Sequence, residues 1–145
     1  MSRKRSLHTL GRMKLKYKYK NVASKVLRPI IPIEVEKDGR SIYYEVLVDS
    51  GADHCVFNSE IATYLGIDLE SGEEMSVTGI TGSVEKCYAH EVNVKVGGHP
   101  YKVKTNFLKN MSKMGHGVVG QAGFFDKFIV KFDLAKAEIE LSTRS

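Results

Sequence analysis

The apolar run Tyr44-Glu45-Val46-Leu47-Val48 passes without a break into Asp49-Ser50-Gly51-Ala52-Asp53. A carboxylate at the end of a buried strand, followed at once by a hydroxyl and a glycine, constrains the fold strongly, because burying a charge costs several kcal/mol unless partners hold it. Such an Asp reads as a working group. Asp and Gly are also the commonest turn residues, so the five residues alone equally admit an ordinary turn.

The rest of the chain narrows the choice. From Ile30 onward, apolar residues alternate with polar ones at period two, punctuated by turn residues, which predicts a mainly β protein. Ile31, Ile33 and Val35 form one such run, Asp38-Gly39 supplies a tight hairpin turn, and Ile42 to Val48 returns, delivering Asp49 to a strand end. Asn58 to Gly66 opens on a capping residue, pairs Ile61 with Leu65 and ends in Gly, the pattern of one short helix. Met75 to Lys86 predicts a second hairpin whose tip, Gly79-Ile80-Thr81-Gly82, carries one exposed Ile between glycines and reads as a mobile arm. Val92, Val94 and Val96, then Gly97-Gly98, then Tyr101, Val103 and Thr105 predict a third. Gly117-Val118-Val119-Gly120 is a short apolar run between glycines, where backbone must pass close to something bulky or to another backbone. Gln121 to Phe128 is expected as a helix burying Phe124, Phe125 and Phe128. Ile129 to Phe132 and Ile139 to Leu141 close as strands.

With 145 residues there is room for one domain and one core, so a large cleft must come from two chains. Charge is unevenly spread. Residues 1 to 20 hold eight Lys or Arg and no acid, leaving 14 basic against 17 acidic residues, a net −3, for the remainder. The basic segment has three open readings: a solvated tail, a strand added to the domain, or a contact for nucleic acid, anionic lipid or an acidic partner through residues 3–20. Lys14, Lys16, Lys18 and Lys20 alternate with Leu15, Tyr17 and Tyr19, so an extended segment has one basic and one apolar-aromatic face. No run of about 18 apolar residues and no signal-like leader is present, so no membrane span and a cytoplasmic location are expected. Cys55 and Cys87 are too few for a disulfide scaffold and read as free thiols.

The ordered set of an apolar strand into Asp49-Ser50-Gly51-Ala52-Asp53, a Gly-tipped hairpin at Gly79 to Gly82, and Val118-Val119-Gly120 resembles the retropepsin-like aspartic proteases, over about Arg28 to Leu141. The resemblance implies a small closed β-barrel-like acid protease fold with one or two short helices, one lobe per chain, acting as a homodimer. Residues 1–27 would be an extension and 28–145 the protease domain. Asp49 of each chain would then meet its twin. Two carboxylates ~4 Å apart at an effective dielectric of about 20 repel by roughly 4 kcal/mol, so the pair holds one proton between them. One member takes a proton from a bound water that attacks the scissile carbonyl of a peptide or protein substrate, and the other protonates the carbonyl oxygen.

By the same resemblance, Ser50 bonds across the dimer and Gly51 lets substrate backbone approach. Ala52, Asp53, Gly79, Ile80, Thr81, Gly82, Val118 and Val119 contact substrate. Arg28, in Arg28-Pro29, supports the dimer by reaching Asp53 across it. Thr81 stands where retroviral flaps usually have Gly. Gln121 stands where an Arg is often found, which removes an internal ion pair to Asp53 and enlarges the part of Arg28.

No metal or cofactor is expected. Asp53-His54-Cys55 and Cys87-Tyr88-Ala89-His90 offer ligand types, but neither pairs cysteines as structural zinc sites do, and Cys87 and His90, three apart on a predicted strand, point to opposite faces. Cysteine catalysis lacks an orienting acid, and both thiols read as buried small hydrophobes. The alternative of another class is a catalytically silent retropepsin-like dimeric module whose basic N-terminus contacts nucleic acid.

Overall fold

The computed structural model describes residues 13–78, 82–109, 111 and 115–144. Its strands are β1 (Lys14–Lys18), β2 (Lys20–Ala23), β3 (Val26–Arg28), β4 (Ile30–Lys37), β5 (Arg40–Val48), β6 (Val56–Asn58), β7 (Glu73–Thr78), β8 (Val84–Val96), β9 (His99–Leu108), β10 (Gly117–Val119), β11 (Phe128–Asp133) and β12 (Glu138–Thr143). Among the described residues one short helix, α1 (Ser59–Tyr64), and one 3-10 turn, Leu69–Ser71, follow β6. The chain is therefore mainly β, as its sequence predicts.

Seven strands lie in the order β4-β5-β10-β6-β9-β8-β7, and β4 also pairs with β8 through Glu34↔Lys95, Val35↔Val94 and Glu36↔Asn93. That extra pairing closes the sheet on itself and removes an open edge. Strand alternation puts Ile31, Ile33, Val35, Val46, Val48, Val92, Val94 and Val96 inside the closed wall, all 3% exposed or less. The turns Asp38-Gly39 and Gly97-Gly98 have positive φ at both residues, which makes the tight two-residue hairpins that fix these registers. Helix α1 begins as its sequence predicts: the Asn58 side chain accepts the Glu60 N–H at 3.0 Å.

A three-stranded sheet, β1-β12-β11, covers one end of the core. Lys14–Lys18 is the added strand, antiparallel to β12, with Leu15 and Tyr17 packed on the core and Lys14, Lys16 and Lys18 outward. The solvated-tail reading therefore fails for these residues, because Leu15 and Tyr17 have an apolar seat to fill. The outward lysines are partly neutralised, Lys18 by Glu138 at 3.0 Å and Lys14 by Glu140 at 3.9 Å. Residues 3–12 lie outside the described residues. No described helix is long and apolar enough to cross a membrane.

The expected helix over Gln121–Phe128 is not formed. The segment is a succession of turns in which Phe125 and Asp126 N–H reach back five residues, to Gly120 and Gln121, and only Phe128 N–H makes a four-residue bond, to Phe124. Gly123, at φ +104°, breaks the helical path, and its N–H goes to the Asp126 carboxylate. Burial is still achieved: Phe124 and Phe128 are fully buried with ring centroids 5.0 Å apart, and Phe125 is half-buried.

Among the described residues one buried hydroxyl, Thr105 Oγ1 on β9, has no hydrogen-bond partner. An unsatisfied buried hydroxyl carries a desolvation cost on the order of 1–3 kcal/mol, so Thr105→Val, which keeps the shape, is expected to stabilise the protein by about 1 kcal/mol. A urea midpoint that falls on this substitution would contradict the assignment.

Candidate active site

Strand β10 lies between β5, to which it runs parallel, and β6, which it meets antiparallel at Val118↔Val56. The chain therefore leaves β5 on one side of β10 and re-enters the sheet on the other, and residues 49–55 must loop over the end of β10. Asp49 N–H donates to Val119 O at 3.0 Å, and Val48 N–H to Pro29 O at 2.9 Å. Beyond that point the backbone turns, with Ala52 N–H donating to Asp49 O at 3.2 Å and Gly51 N–H to Asp49 Oδ1 at 2.9 Å. Among the described residues nothing bonds the other carboxylate oxygen.

The segment after β10 fastens the far side of the loop. Gln121 N–H donates to Ala52 O at 2.8 Å, Ala122 N–H to Asp53 O at 2.9 Å, and the Gln121 side-chain amide to Ser50 O at 2.6 Å. Gly120 sits beneath: a Cβ there would lie 2.4 Å from Ala52 O and 2.8 Å from His54 O. Gly117 is held to glycine by Tyr44, whose ring would be 2.6 Å from an added Cβ and whose hydroxyl accepts the Asn58 N–H at 3.1 Å. The close approach at Gly120 is the one its sequence predicts, here to two backbone carbonyls, whereas the Gln121 bond to Ser50 O is absent from the sequence reading. Its signal is an amide directly after an apolar strand, which gains meaning only once β10 is known to cross the loop.

Asp49 is half-buried, Ala52 likewise, and Ser50, Gly51 and Asp53 are exposed around it. Val118 is half-buried on β10. Val119 corrects its reading as a substrate contact: at 2% exposure its side chain belongs to the core, and its carbonyl serves the loop. Arg28, at the end of β3, is exposed and donates to Leu27 O at 3.2 Å; it has no carboxylate within ion-pair reach among the described residues of its own chain. Gly82 is exposed in the connection between β7 and β8, whose arms pair from Glu73↔Ala89 to Thr78↔Val84. Gly79, Ile80 and Thr81 lie outside the described residues. A recess of about 370 Å³ separates this hairpin from the loop, bounded by Ala52–His54, by Val56 and Asn106, and by Ser76–Thr78.

Both thiols are buried, Cys55 at 1% and Cys87 at 0% exposure. His90, on β8, bonds Leu69 O through Nε2 at 2.7 Å. Among the described residues no group of three His, Cys, Asp or Glu side chains is arranged to hold a metal ion. Burial pushes the Cys55 thiol up to about 11, against an ordinary value of 9.0. The folded protein thus keeps a proton that the unfolded chain sheds, so this contribution is whole below about pH 9 and fades as pH rises towards 11. Between pH 8 and pH 10.5 the wild type is expected to lose about 2 kcal/mol more unfolding free energy than Cys55→Ala does, measured in urea. Parallel losses in the two proteins would show that Cys55 is not the group responsible.

The chain belongs to the aspartyl protease family: a sequence model of that family matches residues 31–122, more than half of the 145 residues. Among solved structures, a retropepsin-like aspartic protease from Rickettsia conorii superposes with a TM-score of 0.64 over 89% of this chain and 98% of its own, at 17% identity. That likeness shows the retropepsin-like fold. The EIAV protease, solved in complex with the inhibitor HBY-793, is 19% identical over 69% of this chain and 88% of its own, with a TM-score of 0.46. No curated protein sequence matches the chain.

Proposed function

We propose that this protein is an aspartic endopeptidase, acting on peptide or protein as a homodimer, with residues 28–145 as its protease domain and the preceding residues as an extension. The observation that supports this most is the Asp49 carboxylate, fixed by one N–H bond at the end of β5 with its second oxygen unbonded among the described residues, in a chain of the aspartyl protease family. A single chain supplies one such group, and the two-carboxylate reaction needs a second copy. In the pair, the ionised member accepts a proton from the attacking water, and the protonated member donates to the carbonyl oxygen. The tetrahedral intermediate then collapses with release of the amine.

Exposed Ser50 and Gly51 lie where a partner loop and a substrate backbone would approach. Asp53 and Arg28, unpaired within one chain among the described residues, complement each other across two. The β7–β8 hairpin closes over the bound peptide and excludes water. Incubating the wild type and Asp49→Asn with a peptide mixture at mildly acidic pH tests the reading, which predicts new termini from the wild type alone.

A further inference from the structure

The recess beside the Asp49 loop has an unusual floor. Residues in register across neighbouring strands point to one face, and the row Val56–Asn106–Ala89 puts Asn106 beneath the recess, between two small apolar neighbours. Asn106 is 6% exposed. Its backbone N–H donates to Cys55 O at 3.0 Å, and among the described residues its side-chain amide has no hydrogen-bond partner, while its polar atoms are not sealed from the recess. An amide set in a recess and left unpaired by its own chain is open to a ligand, and a ligand group of matching hydrogen-bonding type is favoured there over an apolar one.

The walls define that ligand. Ala52, Val56 and Val77 offer apolar surface for a stem, and Asp53 sets a carboxylate at the rim. Asp53 only accepts hydrogen bonds and disfavours an acidic occupant, whereas the Asn106 amide accepts an N–H through its oxygen. We infer that Asn106 determines specificity, selecting peptides that present an N–H-bearing side chain, Gln, Asn, Lys or Arg, to this recess in place of an aliphatic one. The inference rests on the peptidase reading and adds the substrate class to it.

The probe is a mixture of synthetic decapeptides randomised at every position. One arm sequences the products released by the wild type; the other sequences peptides retained on immobilised Asp49→Asn protein. Both arms are expected to show one position enriched about tenfold in Gln, Asn, Lys or Arg over Leu, Ile, Val or Met. Asn106→Leu, introduced into each protein, should reverse that enrichment, and Asn106→Asp should narrow it to Lys and Arg. The aspartate variant carries the test if the leucine variant fails to fold. Enrichment that is unchanged by both substitutions, or aliphatic enrichment in the wild type, overturns the role of Asn106 alone. Retention with the expected pattern but no cleavage by the wild type upholds Asn106 and overturns the peptidase reading. Neither cleavage nor retention overturns both.

Discussion

Asp49→Asn should reduce peptide hydrolysis by at least about 10⁴-fold while leaving the fold and the self-association of the chain in place. Asparagine has the shape of aspartate, and its side-chain oxygen still accepts the Gly51 N–H that holds the loop. What it lacks is a proton to exchange. In a two-fold assembly one substitution removes both carboxylates, so neither a base for the water nor an acid for the carbonyl oxygen remains, and each such transfer contributes about 10²–10⁴-fold. Product analysis by mass spectrometry, with sedimentation of both proteins, measures the two halves of the expectation. Equal cleavage by both proteins would exclude the carboxylate mechanism.

Gly120→Ala is expected to damage both stability and activity. The added Cβ would fall 2.4 Å from Ala52 O and 2.8 Å from His54 O, and these are backbone atoms that no rotamer change can move aside. The Ala52–His54 segment must shift outward, loosening the Gln121 and Ala122 bonds that hold it. Overpacking of this kind costs about 1–3 kcal/mol, and displacing catalytic groups by about 1 Å costs on the order of 10²-fold in rate. Gly39→Ala is the contrasting case. It sits at φ +85° with open space around it, so strain costs it about 1 kcal/mol without reaching the site. Urea midpoints and cleavage rates of the two variants should separate, and a Gly120→Ala protein as active and stable as the wild type would refute the packing argument.

What the sequence revealed and what it hid divide along a physical line. The hairpins around Asp38-Gly39 and Gly97-Gly98, and the Asn58 cap, are written in residues a few positions apart, so local chemistry announces them. Asp49 at the end of β5 was legible for the same reason. The Gln121–Phe128 segment misled because its three phenylalanines have helical spacing, while Gly123 and the Asp126 carboxylate take the backbone elsewhere. Val119 has the same composition as Val118, and only the crossing of β10 between β5 and β6 decides which of them faces the core. Gln121 on Ser50 O and Asn106 beneath the recess join residues distant in sequence. No periodicity carries such information.

The pairing of β1 with β12 bears on how the protein can be trimmed. Gly97 lies directly under Leu15, and the Tyr17 hydroxyl is close beside it. Cutting the chain before Arg28 would strip a whole ladder from β12 and bare a greasy slot next to it, leaving a sticky flank that invites aggregation. Residues 14–18 are thus not a dispensable leader but a lid on the barrel, and a shortened version made for convenience should be expected to precipitate.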